Sequence, residues 1–329
     1  MSSKLSRDIL RIDEEAEVAR ICACLRDILR TKLRKRGLVI AISGGVDSAV
    51  CAALAANAVG RERVFGLLLP EKDSSPESLI RGRLLAQQLG LEYAVEDMAS
   101  ALEAIGCYRW RDEAIRAVFP DFTSEWKSKI AIAGGLKGGI NYFKLVVQAP
   151  GSDPMEKRLE IKQYLQIVAA TSYKQRLRKT IEYFHADRLN YAVVGTPNRV
   201  EYDQGFFVKN GDGSADVKPI AHLYKSQVYA LARWFKLPEE ICGAMPTTDT
   251  YSMVQGQDEF YFALPYQQMD VALWAHNHGV EAAEVAAYLG INREQAQYAY
   301  DDIDAKRKTT YHLHAKPFLV EPVSELGDF

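Results

Sequence analysis

Residues 38–58 read "LVIAISGGVDSAVCAALAANA", and this stretch narrows the possible folds more than any other part of the chain. Leu38 to Ile42 is a short, fully apolar run, as expected of a strand buried on both faces, and Ala49 to Ala58 is alanine-rich, as expected of a helix. The residues between them, Ser43, Gly44, Gly45, Val46, Asp47 and Ser48, therefore fall on a strand-to-helix turn. Unpaired backbone N–H groups and the positive end of a helix dipole converge at such a turn, so it favours an anion. The serines add hydroxyl donors, and Asp47 is a candidate to hold a metal ion that bridges phosphates. A tight turn with a capping Ser or Asp is the plainer alternative, but the full string favours phosphate.

The rest of the chain repeats the strand–helix alternation. "RVFGLLLP" reads as a second strand before the helical "SLIRGRLLAQQLG", "LEYAVED" as a third, and "NYAVVGT" as a later buried one. This pattern predicts an α/β fold with a mainly parallel sheet flanked by helices. In such sheets ligands bind beyond the carboxyl ends of the strands, where "SGGVDS", "LPEKDSS" and "GTPNRVE" all fall. Residues 8–36 read as one long amphipathic helix ahead of the first strand. About residues 106–165 break the alternation and read as an insertion or lid within a single domain spanning 1–329. Within it, "GGLKGG" lacks the strand–turn–helix frame of a phosphate loop.

With 329 residues, 48% of them apolar, the chain can bury a substantial core. Its formal net charge of −2 argues against nucleic acid as a partner, and the basic run "RTKLRKR" suits a helix C-terminus. No apolar stretch of about 20 residues suggests a membrane span, and the start is not signal-like, so a cytoplasmic protein is expected. Cys22, Cys24, Cys51, Cys107 and Cys242 lack paired zinc spacing and read as reduced thiols. His276 with His278 and His312 with His314 read as solvated histidines, not a metal site.

The phosphate loop is neither the Walker type nor the dinucleotide fingerprint. "SGGxDS" after a first strand resembles the loop of the ATP pyrophosphatases, which cleave ATP between the α- and β-phosphates to form an adenylate. The second half narrows the resemblance. "GTPNRVEYDQGFFVKNGDGSADVKPIAHLYKSQV" at 195–228 and "PTTD" at 246–249, taken with "LPEKDSSPES" and "YKQRLR", closely resemble the ammonia-dependent NAD synthetases. The resemblance implies a Rossmann-like ATP pyrophosphatase fold. It also implies amidation of deamido-NAD by ammonia, with ATP as co-substrate and Mg²⁺ as cofactor. By resemblance, the 43–48 loop, Thr196, Lys225 and Thr247 contact ATP. Asp47 and Glu201 are expected to hold the metal, and Arg176, Lys209, Asp216 and His312 to face deamido-NAD. Asp212 is the candidate for positioning or deprotonating ammonium, and with Lys225 makes the expected catalytic pair. A homodimer is likewise implied. No fused glutaminase is expected ahead of residue 43, so ammonia would arrive free or from a separate protein.

The acceptor side departs from the family pattern. Ser172 stands at the usual asparagine, Leu313 follows His312 where a lysine is usual, and Phe260, Tyr261 and Phe262 follow Asp258 and Glu259 in place of acidic residues. These changes, with the insertion, leave open a paralogue that amidates another carboxylic acid. A tRNA-modifying enzyme using the same loop is disfavoured by the near-neutral charge and unpaired cysteines. The aromatic series at 259–270 reads as core or interface.

Overall fold

The computed structural model describes residues 5–6, 8–135, 139–244, 251–253, 256, 261–262, 264–321 and 323. A first helix, α1 (Glu14–Asp27), begins later than the periodicity suggests. The carboxylate of Asp13 caps it by accepting from the Ala16 N–H at 3.0 Å. It continues as a π-helical turn over Ile28–Leu33 and stops at Arg34, whose φ of 53° is left-handed.

The main sheet is parallel. β1 (Leu38–Ala41) pairs with β2 (Val64–Leu68), β2 with β3 (Glu92–Val95), and β1 on its other side with the two-residue β7 (Ala192–Val193). β1 and β2 are apolar throughout because helices cover both faces. α2 (Val46–Val59) and α3 (Pro76–Leu89) connect the first three strands, and the spatial order is β3-β2-β1-β7. The chain builds outward from β1 in one direction and returns on the other side with β7. The order therefore reverses at β1, and a crevice opens at the carboxyl ends of β1 and β7. The loops from Ile42 to Gly45 and from Val194 to Asn198 leave at that point.

The segment 106–165 is folded. After α4 (Ala99–Ala104), α5 (Cys107–Arg116) packs on the long α6 (Ile161–Leu189). Between them lies a separate antiparallel sheet of β4 (Lys127–Gly135), β5 (Gly139–Gln148) and β6 (Met155–Arg158). It has a core of its own, in which Ile130, Leu145 and Val147 meet Ile115, Phe122 and Ile167. Of "GGLKGG", Gly134 and Gly135 end β4 and Gly139 opens β5, and residues 136–138 lie outside the described ones.

The remaining helices are α7 (Arg199–Gln204), α8 (Lys225–Trp234), α9 (Glu239–Cys242), α10 (Tyr266–Asn277), α11 (Ala282–Leu289) and α12 (Arg293–His314). α10 to α12 bury Met269, Leu273, Val285 and Ile303 in a further cluster that includes Phe262 and Leu264, so that part of the aromatic series is core. Phe260 with Asp258 and Glu259 lies outside the described residues. All five cysteines are free thiols. His278 and His312 are exposed, whereas His276 is half-buried and meets Asp304 at 3.2 Å. No helix among the described residues is long and apolar enough to cross a membrane.

Candidate active site

The glycine loop is shaped by its own hydroxyls and by a neighbour. Ser48 Oγ lies 3.0 Å from Ser43 Oγ and accepts from the Ser43 N–H at 3.2 Å, while Ser43 Oγ accepts from the Gly45 N–H at 3.3 Å. Gly44 adopts a φ of +80°, and a Cβ there would stand 2.5 Å from the Ser78 carbonyl, so glycine is required twice over. Arg81 clips the loop from α3 by donating to the Gly44 carbonyl at 3.1 Å. α2 starts at Gly45 with no side-chain cap, which leaves its first N–H groups directed at the crevice.

Across the crevice, "NRVE" folds as a capping box. Asn198 Oδ1 accepts from the N–H groups of Val200 and Glu201, and Glu201 Oε2 accepts from the Asn198 N–H at 3.2 Å. The Asn198 amide also donates to Asp47 Oδ1 at 3.2 Å, and the Lys225 ammonium pairs with Asp47 Oδ2. Lys225 is 3% exposed. Burial alone would lower its pKa, but Asp47 and Glu201 outweigh it and raise the pKa above lysine's ordinary value, so the charge persists.

Lys225 is aimed by Asp270, a fully buried carboxylate on α10 that accepts from the backbone N–H of Lys225 at 3.2 Å and of Ser226 at 2.7 Å. One side chain thus caps the start of α8. We expect Asp270→Ala to cost about 2–4 kcal/mol in urea unfolding, because two buried donors lose a charged acceptor. Asp270→Asn, which keeps one oxygen, should cost less than half of that. Equal stability of wild type and Asp270→Ala would remove the capping role.

The phosphate-loop residues, Glu201 and Lys225 line one cavity of about 620 Å³, whereas Asn198 and Asp270, which hold them, are not on its wall. Of the residues singled out in the sequence, Ser43, Gly44, Gly45, Val46, Asp47, Ser48, Thr196, Glu201, Asp212 and Lys225 all lie on its wall. Thr247 lies outside the described residues. Four others stand off the wall. Arg176 donates to the Lys209 carbonyl at 3.3 Å, and the Lys209 ammonium to the His312 carbonyl at 2.7 Å, forming a chain beside the cavity. Asp216 accepts from the Val193 N–H at 2.7 Å and so braces β7.

Asp212 is open by surface area, but its open side is the cavity, and protein surrounds the rest. That surrounding raises its carboxyl above the usual range, against the Val208 N–H, which it accepts at 2.8 Å, and against Lys179 and Arg178. Lys179 and Glu182 form a buried pair at 2.8 Å on the same wall.

A second charged group sits behind the β2–α3 loop. Asp73 takes Lys174 at 2.6 Å and Arg111 at 2.5 Å, and Glu71 takes Lys174 at 2.9 Å and the Tyr108 hydroxyl at 2.8 Å. This cluster ties the loop that carries Ser74 and Ser75 to α5 and α6.

Reading the sequence alone missed Asn198, Lys179, Glu182 and Asp270 as site residues. Asn198 carried a usable signal, Asn-x-x-Glu ahead of a helix. Lys179 and Glu182 could have been found from their helical spacing to Ser172 and Gln175. Asp270 had no local signal.

Residues 17–125 and 135–314 match the family model described as NAD synthase. The chain belongs to the NAD synthase family. Its relatives in that family include the NH(3)-dependent NAD(+) synthetase of Rhizobium meliloti, 57% identical over 98% of this chain and 96% of the relative. The protein of the same name from Mesorhizobium japonicum is 54% identical over 96% of this chain and 100% of the relative. Among solved structures, the chain superposes on NMN synthetase from Francisella tularensis with a TM-score of 0.65 at 21% identity, covering 94% and 98% of the two chains. It matches the NH3-dependent NAD synthetase from Campylobacter jejuni, solved with nitrate ion, with a TM-score of 0.62 at 20% identity, covering 94% and 100%. These structural likenesses place it in the same α/β fold. The NAD synthase family match passes over residues 126–134, most of β4.

Proposed function

We propose that the chain is an ammonia-dependent NAD synthetase that activates the carboxylate of deamido-NAD with ATP and replaces AMP with ammonia. The observation that carries this reading is that the uncapped α2 start, Asp47, Glu201 and Lys225 line one cavity, with Asn198 tying Asp47 to Glu201. A carboxylate resists ammonia because its leaving group would be oxide; adenylation makes AMP the leaving group.

The N–H groups of α2 with Ser43 and Ser48 hold the β- and γ-phosphates, and Thr196 and Thr247 donate to the nucleotide. The acceptor carboxylate attacks the α-phosphorus, the bond to the bridging oxygen of the β-phosphate breaks, and pyrophosphate leaves. Lys225 faces the charge that gathers on the α-phosphate during this step. Asp212 then takes a proton from ammonium, ammonia attacks the carbonyl carbon of the adenylate, AMP departs as the bond from that carbon to the AMP oxygen breaks, and the nitrogen's second proton passes to solvent.

Asp47 and Glu201 would hold Mg²⁺: two carboxylates on one cavity wall suit an ion that takes waters and phosphate oxygens as its other ligands. Bound there with ATP, the ion would neutralise phosphate charge.

Arg176, Lys209, Asp216 and His312, beside the cavity and not on its wall, serve the part of the dinucleotide that extends out of it. A homodimer would complete that side. The 106–165 segment is the lid of a single domain, and the setting is cytoplasmic.

The test is release of pyrophosphate and AMP with Mg-ATP, deamido-NAD and ammonium, with glutamine replacing ammonium in a parallel run. NAD should form with ammonium alone. ATP cleavage without NAD, or silence with both nitrogen sources, would reject deamido-NAD as the acceptor and direct a screen of other carboxylic acids.

A further inference from the structure

One face of α6 runs the length of the cavity. Tyr164, Val168, Ser172, Gln175, Lys179 and Glu182 all line it, three or four residues apart, as one helical stripe requires. The stripe spans about 27 Å of helix axis. Its character changes along the way, from aromatic and aliphatic at Tyr164 and Val168, through polar at Ser172 and Gln175, to charged at Lys179 and Glu182 beside Asp212. The charged end belongs to the reaction, whereas nothing in the chemistry uses the aromatic end.

At that end the ring of Phe143, from β5, stacks on Tyr164 with centroids 4.0 Å apart and planes 17° from parallel. Both residues are only half-buried and both face the cavity, as does Ile132, the register partner of Phe143 in β4. A pair serving only the core of the small sheet would be enclosed like Ile130 or Leu145, which are at most 1% exposed.

We propose that Phe143 and Tyr164 form a stacking subsite for a planar heteroaromatic ring of the acceptor dinucleotide. The assignment rests on the proposed function and adds to it the seat of a ring remote from the phosphate loop. The base of ATP has a nearer apolar seat. Leu67, Leu68 and Leu69 line the cavity at the end of β2, and the Leu67 carbonyl accepts from the Ile42 N–H at 2.8 Å, next to the phosphate loop. The aromatic end is therefore left to the other ring-bearing reactant. Most of β4, which backs Phe143, lies in the stretch that the family match passes over. Phe143 and Tyr164 themselves lie in the matched stretch, on the same cavity wall as Ser172 of the α6 face, where the usual asparagine is missing.

The experiment compares wild type with Phe143→Leu, Tyr164→Leu and Tyr164→Phe. KM is measured for deamido-NAD and for ATP, and calorimetric binding of deamido-NAD is measured without ATP. Loss of either ring should weaken deamido-NAD about tenfold in KM and in binding. KM for ATP and kcat should stay within twofold, and Tyr164→Phe, which keeps the ring, should behave as wild type. Unchanged deamido-NAD binding in both leucine variants, or a rise confined to KM for ATP, overturns the subsite. Should wild type bind deamido-NAD without converting it to NAD, the proposed reaction falls while the binding ratio still judges the subsite. Should wild type not bind it at all, both fall.

Discussion

Lys225→Met should lower kcat/KM by roughly a hundred- to a thousandfold, the scale expected when one preorganised group facing developing charge is removed. Lys225 is buried, charged and fixed at both ends, by Asp270 at its backbone and by Asp47 at its ammonium. Replacing it also leaves the Asp47 carboxylate with the Asn198 amide but without its opposite charge. About 3 kcal/mol of stability should be lost with the activity, because breaking a buried pair leaves one charge uncompensated. The double variant Asp47→Asn with Lys225→Met should regain most of the stability in urea unfolding, which isolates the cost of the uncompensated charge. If Lys225→Met alone kept wild-type kcat/KM, Lys225 would be a structural counter-ion and not a group that acts on the phosphates.

The turn from β1 into α2 was readable in the sequence because its determinants are local. Ser43 to Ser48 follow an apolar strand and open a helix, and three of their requirements (a left-handed glycine, an uncapped helix start, hydroxyl donors) lie within six residues. The parallel sheet was readable for the same reason, since strands buried on both faces leave uninterrupted apolar runs. β7 was overread from "NYAVVGT", because only Ala192 and Val193 pair and Val194 makes an isolated bridge to Val217. Asp270 could not be read, because its partners lie about forty-five residues away and a buried aspartate leaves no pattern among its neighbours. Segment 106–165 looked irregular because its three strands pair with one another in a separate antiparallel sheet, outside the parallel alternation. Lys174 and Arg111 carry no local signal of a shared role, and only the fold brings Asp73 and Glu71 to them.

Asp212→Asn should divide the reaction in two. Asp212 is on the cavity wall, but it accepts from the Val208 N–H, and among the described residues no hydrogen bond joins it to the phosphate loop or to Lys225. Adenylation should therefore survive, seen as ATP–pyrophosphate exchange within about threefold of wild type. Amide formation should fall by a hundred- to ten-thousandfold, the range for loss of a positioned base. The pH dependence has a definite sign. With its carboxyl raised above the usual range by the protein around it, Asp212 is protonated at low pH and gains its charge only as pH rises, so the wild-type rate with ammonium should climb through that interval. The variant cannot ionise there and should lose the acid limb of the profile, keeping only the rise caused by free ammonia at alkaline pH. A variant that lost exchange and amide formation equally would place Asp212 in ATP binding. One that lost neither would move the base to another group on the same wall, with Glu182 beside Lys179 the first to replace.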